Sequence, residues 1–440
     1  MNLLVGLVLI VCLFLSELSQ PTPVENLFPA LIALFLVSVS IPGLAFFQAW
    51  FVMRRQSLQD SDDEDIDKTL SRMSACHSAV WLVASLMIVS TLRWPDIVRA
   101  NWNLDYWPVL DEIMLVLPIV LSLFASWLIH ASLHKSPRGT PNTRILSRLR
   151  KCFFVRESWS TAGFQLRYLA ALFLLPLALV ALLNDLNGST FGSWARAGML
   201  VTTVAIVTLY PIALLWLWPT RAIDDEKLGA RIKAFCRQER LGVFDVRVLN
   251  TNGKFLNAVV IGLIPNTRII LLTDALIERF SQPELMAIVR HEAAHIQLHH
   301  FAKRLVWILA PMGIILGFGC VSGWFSHPQA GAGSIDFGGF ATELGVLIFA
   351  GYLGYLWFFI RPKAIEMEFE ADSKACQIGG RTDQEAVRNL TDALLRMAVY
   401  SPTHYESDSL GHPSFAKRIE SIVNQVDAGS VSLDFQTAHA

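Results

Sequence analysis

Two histidines four residues apart, His291 and His295, bracket a glutamate, Glu292, in the stretch HEAAHIQLHH that ends at His300. On a helix, residues i and i+4 differ by about 40° in direction and about 6 Å in height. Both imidazoles can therefore reach one ion, and Glu292 beside them can hold and deprotonate a water. H-E-x-x-H is the spacing of zinc hydrolases, in which zinc lowers the pKa of water from 15.7 toward about 7 and polarises a carbonyl. Such a zinc needs a third protein ligand and an open position. The segment EFEAD, residues 368–372, offers one, because Glu368 and Asp372 are again spaced i, i+4. With Glu368 as ligand, Asp372 can accept a hydrogen bond from a ligand histidine and set its tautomer. Glu366 and Glu370 point elsewhere, toward solvent. The competing reading makes this segment a charged helix face where a helix leaves a membrane. His299 and His300 read as interfacial polar residues; His300, five past His295 on a continuing helix, faces away. Two imidazoles and one carboxylate suit Zn2+ best, one ion per chain.

These residues need helices to carry them. Ser281 and Glu284 form a capping-box pattern with Pro283 in the first turn, which predicts a helix over 282–300. A second helix carries EFEAD and ends at Gly379–Gly380; a third covers 382–400 and a fourth 414–425. Ahead of them, 222–240 patterns as a helix, and FDVRVLN, NAVVIG and residues 268–273 read as strands, with a turn at Pro265–Asn266.

The rest of the chain is apolar: 53% of its 440 residues are hydrophobic and 17% charged. Eight apolar runs, at 2–18, 28–52, 78–92, 113–133, 168–183, 199–218, 305–324 and 340–360, approach or reach the length of a membrane span. Loop charge agrees with this count. Arg54, Arg55, Lys68 and Arg72 lie between the second and third runs, and Lys135, Arg138, Arg144, Arg148, Arg150, Lys151, Arg156 and Arg167 between the fourth and fifth. Loops of the other parity hold Arg93, Arg99 and Arg196. The positive-inside rule puts both termini and the histidine-bearing segments in the cytoplasm. Asp111 and Glu112, at a span end, read as solvated at the interface. A net charge of -1 and the lack of a polybasic arm argue against nucleic acid. Cys12, Cys76, Cys152, Cys236, Cys320 and Cys376 form no C-x-x-C pair and read as small core residues rather than disulfides.

The expected architecture is mainly α: a multi-pass membrane protein of about eight transmembrane helices with a cytoplasm-facing α+β zincin-like metalloprotease domain. Residues 1–218 form a membrane region of about six transmembrane helices, 219–303 the first half of the metalloprotease domain, and 304–360 a transmembrane hairpin. Residues 361–426 form the second half, with the third zinc ligand, and 427–440 a loose tail.

H-E-x-x-H followed, after a membrane hairpin, by E-F-x-A-D resembles the integral-membrane zinc metallopeptidases of the HtpX and CAAX prenyl protease type. NAVVIG resembles that family's Asn-Ala edge strand, and GHPSFAKRI its C-terminal His-Pro…Arg-Ile segment. The resemblance covers roughly residues 241–422, with four motifs in the family's order. It implies that His291, His295 and Glu368 bind zinc, that Glu292 is the general base, and that Asp372 supports a ligand. It further implies that Asn257 and Ala258 pair with substrate backbone, that His412 stabilises the oxyanion, and that Arg418 anchors the surroundings of the substrate. Val259 stands where the family commonly has an aromatic residue. The first six runs carry no motif of the family. The implied activity is endopeptidase cleavage of membrane proteins or peptides, in quality control at a bacterial inner membrane or, alternatively, on prenylated C-terminal tails. A non-catalytic membrane zinc sensor or scaffold is the competing class, and a transporter the third. The implied partners are the substrate and the lipid bilayer; oligomeric state is left open.

Overall fold

The computed structural model describes residues 2–17, 21–58, 63–131, 156–188, 210–253, 255–321, 347, 351–352, 354–378, 381–401, 403–408 and 411–425. The chain divides into two compact units, Met1–Thr202 and Thr203–Ala440.

The first unit is helical: α1 (Asn2–Glu17), α2 (Leu27–Leu58), α3 (Asp63–Ser90), α4 (Leu110–His130), and α5 (Arg156–Leu169), which runs through a π turn, Ala170–Leu174, into α6 (Leu175–Gly188). Among the described residues, four stretches are long and apolar enough to cross a membrane: Leu27–Val52, Arg72–Ser90, Leu110–His130 and Ser158–Leu179. They coincide with the second to fifth apolar runs. The first run lies on α1, which at 16 residues is shorter than the others. Trp81, Ile41, Ile88, Ile119 and Leu9 form the inner core, whereas Phe28, Phe35, Leu36 and Phe47 of α2 are exposed. An apolar outer face of this kind suits contact with hydrocarbon, where every backbone group must be satisfied inside the helix. Ser85, Ser122 and Ser126 follow that rule for their hydroxyls, donating to carbonyls of the preceding turn. Asp111 departs from its expected solvation. It is buried and takes a 2.7 Å bond from the equally buried Arg99, whose other arm reaches the Ser16 carbonyl. A buried carboxylate is tolerated where a cation answers it, and Arg99, 12 residues away in sequence, supplies that cation.

The second unit opens its described part with helical residues 210–217, and 199–209, most of the sixth apolar run, lie outside the description. β1 (Thr220–Arg221) follows, then α7 (Glu226–Gln238), β2 (Val243–Leu249), β3 (Ala258–Ile261), β4 (Arg268–Thr273) and α8 (Asp274–Arg279). Asp225 caps α7 by accepting from the Lys227 and Leu228 amides. The sheet order is β1-β2-β4-β3, with β2 and β4 parallel and both outer pairs antiparallel. β4 is an unbroken apolar run, Ile269 to Leu272, buried throughout, as a central strand covered on both faces must be. β3 is an edge. Its register is Ala258↔Leu272 to Ile261↔Ile269, and the Asn257 carbonyl and amide are tied to Thr273. Gly262 ends it at φ 106°, where an added Cβ would come within 3.0 Å of the Arg268 Cα.

Next come α9 (Gln282–Gln297) and α10 (His300–Val321), then α11 (Arg361–Ala375), the hairpin β5 (Gln377–Ile378) and β6 (Arg381–Thr382), α12 (Gln384–Tyr400), and a last helix over 415–425. α9 begins with its capping box: the Ser281 amide donates to Glu284 at 2.6 Å, and Arg396 of α12 takes the other carboxylate oxygen at 2.8 Å. Leu285, Ile288 and Val289 of α9 pack with Ile232, Ile270 and Leu272, each burial worth about 1.5–3 kcal/mol. Two expectations change. The helix expected over 282–300 is broken, because Leu298 leaves helical geometry and His299 adopts φ 56°. The helix expected to reach Gly379–Gly380 ends at Ala375, because the chain turns into the β5–β6 pair; the two glycines lie outside the described residues. The seventh apolar run begins on α10, most of the eighth (340–360) is outside the description, and so is the tail. Cys12, Cys236 and Cys376 are buried and Cys76 is exposed, all as free thiols.

Candidate metal centre

α11 packs along α9, and the contact brings Glu368 and Asp372, both fully buried, against the α9 histidines. His295 Nε2 lies 3.2 Å from His291 Nε2. Glu368 Oε2 is 3.5 Å from His291 Nε2, and its Oε1 is 3.6 Å from His295 Nε2. Donors bound tetrahedrally at about 2.1 Å stand about 3.4 Å apart. The two ring nitrogens, 3.2 Å apart, and the two Glu368 oxygens, one 3.5 Å from His291 Nε2 and the other 3.6 Å from His295 Nε2, therefore stand at separations that suit the donors of one zinc ion. Among the described residues, this is the one group of three such side chains able to hold a metal ion.

The orientation of each histidine follows from what its Nδ1 meets. His291 Nδ1 lies 2.8 Å from Asp372 Oδ1. Asp372 is an acceptor there, so the proton sits on Nδ1 and the Nε2 lone pair is left for the ion. Arg418 grips the same carboxylate with two bonds, 2.8 Å from Nε and 2.6 Å from Nη2. Its guanidinium is thus committed to Asp372 inside the protein. His295 Nδ1 meets a different partner: His300 Nδ1 at 2.8 Å, with His300 Nε2 3.0 Å from Glu370 Oε2. His300 does not face away. The break at His299 starts α10 afresh, so helical spacing counted from His295 no longer applies, and His300 folds back buried against the site. Glu370 is only half-exposed and bonds His300 instead of water alone. Arg304, one turn along α10, reaches Glu368 Oε1 at 3.3 Å. The sequence reading turns His300 and Glu370 outward and gives Arg304 no role in the site; the adjacent His299–His300 pair is the available signal.

The field of the site follows from burial and these charges. Burial pushes Glu292 up to about 7, the range of a general base working at neutral pH. Burial and the neighbouring His291 press His295 down to about 3, so it stays neutral. Burial and Arg418 push His291 down, but Asp372 and Glu368 outweigh them and raise it to about 9. A site that draws a proton onto an imidazole between two carboxylates is one that a divalent cation would also occupy. Burial works against ionisation of Asp372, yet Arg418 holds it below the usual carboxylate range. Burial keeps His300 low as well.

A cavity of about 280 Å³ opens onto these groups. His291, Glu292 and Glu368 line one part of it, and Asn257 and Ala258, at the start of the edge strand, line another. His412 is exposed at the cavity and its Nδ1 is 2.9 Å from Glu368 Oε2. Leu390, Leu394, Met397 and Phe415 supply an apolar wall.

Residues 222–426 match the model of peptidase family M48. Over those residues the chain is similar to the M48 peptidases. The matched residues run from just before α7 to the last helix, so β2, β3 and β4, both metal-facing helices and the cavity fall inside them, and β1 lies just outside. No curated protein matches the chain. Among solved structures, the crystal structure of S. mikatae Ste24p aligns at 15% identity and a TM-score of 0.48, covering 92% of this chain and 100% of that one. The match to peptidase family M48 and the four candidate membrane helices among the described residues together support a membrane metallopeptidase.

Proposed function

We propose that the M48 domain is a zinc endopeptidase facing the cytoplasm, joined to a bundle of about eight membrane spans, and that it cuts membrane proteins or peptides presented in extended form. The single observation that carries this reading is the cluster of His291, His295 and Glu368 donor atoms, with contacts of 3.2–3.6 Å, beside Glu292 in a cavity bordered by an edge strand. His291, His295 and Glu368 would hold one Zn2+, which when bound supplies Lewis acidity to the scissile carbonyl and to water. Glu292 takes the proton of the attacking water and returns it to the leaving amine. Asp372, oriented by Arg418, keeps the His291 proton on Nδ1. His412, at the mouth, donates to the oxyanion as it forms. Ala258 presents the free edge of β3 to the substrate backbone, which joins as a further strand, while the Asn257 backbone, held by Thr273, fixes the start of that edge. The apolar wall takes an apolar substrate side chain. Quality control of membrane proteins at a bacterial inner membrane fits these features, and cleavage of prenylated tails is the alternative that a lipidated peptide would test.

The test is zinc content and casein cleavage measured together on the full-length protein in detergent. The expected result is about one zinc per chain in wild type and in Glu292→Gln, with cleavage in the variant reduced about 10²–10⁴-fold. Full activity in Glu292→Gln would overturn the assignment of the base; zinc with no cleavage in either would favour a sensor or scaffold.

A further inference from the structure

His300 and Glu370 belong to no ligand set, yet they form a continuous path from the protein surface to a ligand histidine. Glu370 is half-exposed, His300 is 1% exposed, and His295 lies behind it. The two bonds, 3.0 Å and 2.8 Å, run in series through opposite nitrogens of one ring. With both rings neutral, the chemistry allows one arrangement. The Glu370 carboxylate accepts, so His300 Nε2 carries the hydrogen. His300 Nδ1 then offers a lone pair, and His295 Nδ1 must be the donor to it. His295 Nε2 is left unprotonated and aimed at the other donor atoms, 3.2 Å from His291 Nε2 and 3.6 Å from Glu368 Oε1.

We propose that His300 and Glu370 are positioning residues that fix the tautomer and ring angle of His295 for zinc binding, a histidine-relayed counterpart of Asp372 on His291. The proposal rests on the zinc peptidase reading, and goes beyond it by assigning residues outside the motif. The break at His299 is what makes the relay possible, since it returns His300 to the side of α9 that carries His295. Glu366 provides the contrast. It is exposed on the same helix, pairs with Lys363 at 2.5 Å, and lines no part of the cavity.

The experiment is competition for zinc between the full-length protein in detergent and a chromophoric chelator, using wild type, His300→Ala, His300→Asn, Glu370→Ala and, as control, Glu366→Ala. Loss of a partner behind a ligand histidine weakens metal binding by about 10–100-fold. His300→Ala is expected within that range, and Glu370→Ala at its lower end, about tenfold. His300→Asn places an amide oxygen where Nδ1 stood, so it should recover most of the affinity lost in His300→Ala. Glu366→Ala should bind as wild type does. If His300→Ala is poorly folded, the half-exposed Glu370→Ala decides. Wild-type affinity in folded His300→Ala or in Glu370→Ala would overturn the relay, and so would an Asn variant no better than Ala, which would mark His300 as mere packing. A wild-type chain that takes up no zinc would instead overturn the peptidase reading itself.

Discussion

The two histidines of the centre are held by unlike means. Behind His291 stands a buried ion pair, Asp372 with Arg418, side chains of α11 and the last helix. Behind His295 stands a second imidazole and then a half-exposed carboxylate. The first arrangement couples the site to the stability of the domain; the second leaves it open to the surface. A buried pair is strongly felt when one partner is lost, because the other remains charged without an answer, at about 3–5 kcal/mol. A relay ending near water loses less, because solvent can replace the missing acceptor.

The sharpest way to break this contrast is Asp372→Ala. Thermal unfolding of the zinc-free protein should fall by an amount corresponding to about 3–5 kcal/mol, whereas Glu370→Ala should leave it within about 0.5 kcal/mol. Equal losses would mean that the two arms are not different in kind. A smaller effect is expected from Asp372→Asn, which keeps the shape and one acceptor: zinc affinity should drop by about 10–100-fold in chelator competition, with His291 still ordered.

The smallest expected effect comes from a carboxylate away from the centre, which serves as the baseline. Asp274 is buried, which alone would raise it, but the Thr251 hydroxyl and the Gly253 and Ala275 amides outweigh burial and hold it below its ordinary value. A group depressed on folding contributes its stability above the unfolded pKa of about 3.9, and loses it as pH falls through the folded value. Wild type should therefore lose melting temperature more steeply from pH 5 to pH 3 than Asp274→Asn does. Parallel curves would show that Asp274 carries no such linkage.

What could be read from the residues was whatever depends on one helix or one strand at a time. The His291, Glu292 and His295 spacing and the Glu368, Asp372 spacing are helical periodicities, and both survive in α9 and α11 because those helices are continuous through them. Residues 268–273 form the expected strand because a continuous apolar run of that length fits a buried position. What could not be read depends on a single dihedral or on a distant partner. His299 turns left-handed, and that one angle moved His300 from a presumed outward face to the back of His295. Arg99 removed the reason to leave Asp111 in water. Neither effect has a period that a sequence displays.

The pairing of β3 with β4 has a metric consequence. Its four pairs, from Ala258↔Leu272 to Ile261↔Ile269, are locked to a buried central strand and pinned at one end by Thr273. A substrate strand laid on the free edge of β3 advances about 3.3–3.4 Å per residue and turns alternate side chains to the cavity. A slip of one residue would swap all of them to the other side. Under the proposed function the edge would act as a graduated scale, on which the bond to be cut is set by counting residues in steps of two from Ala258.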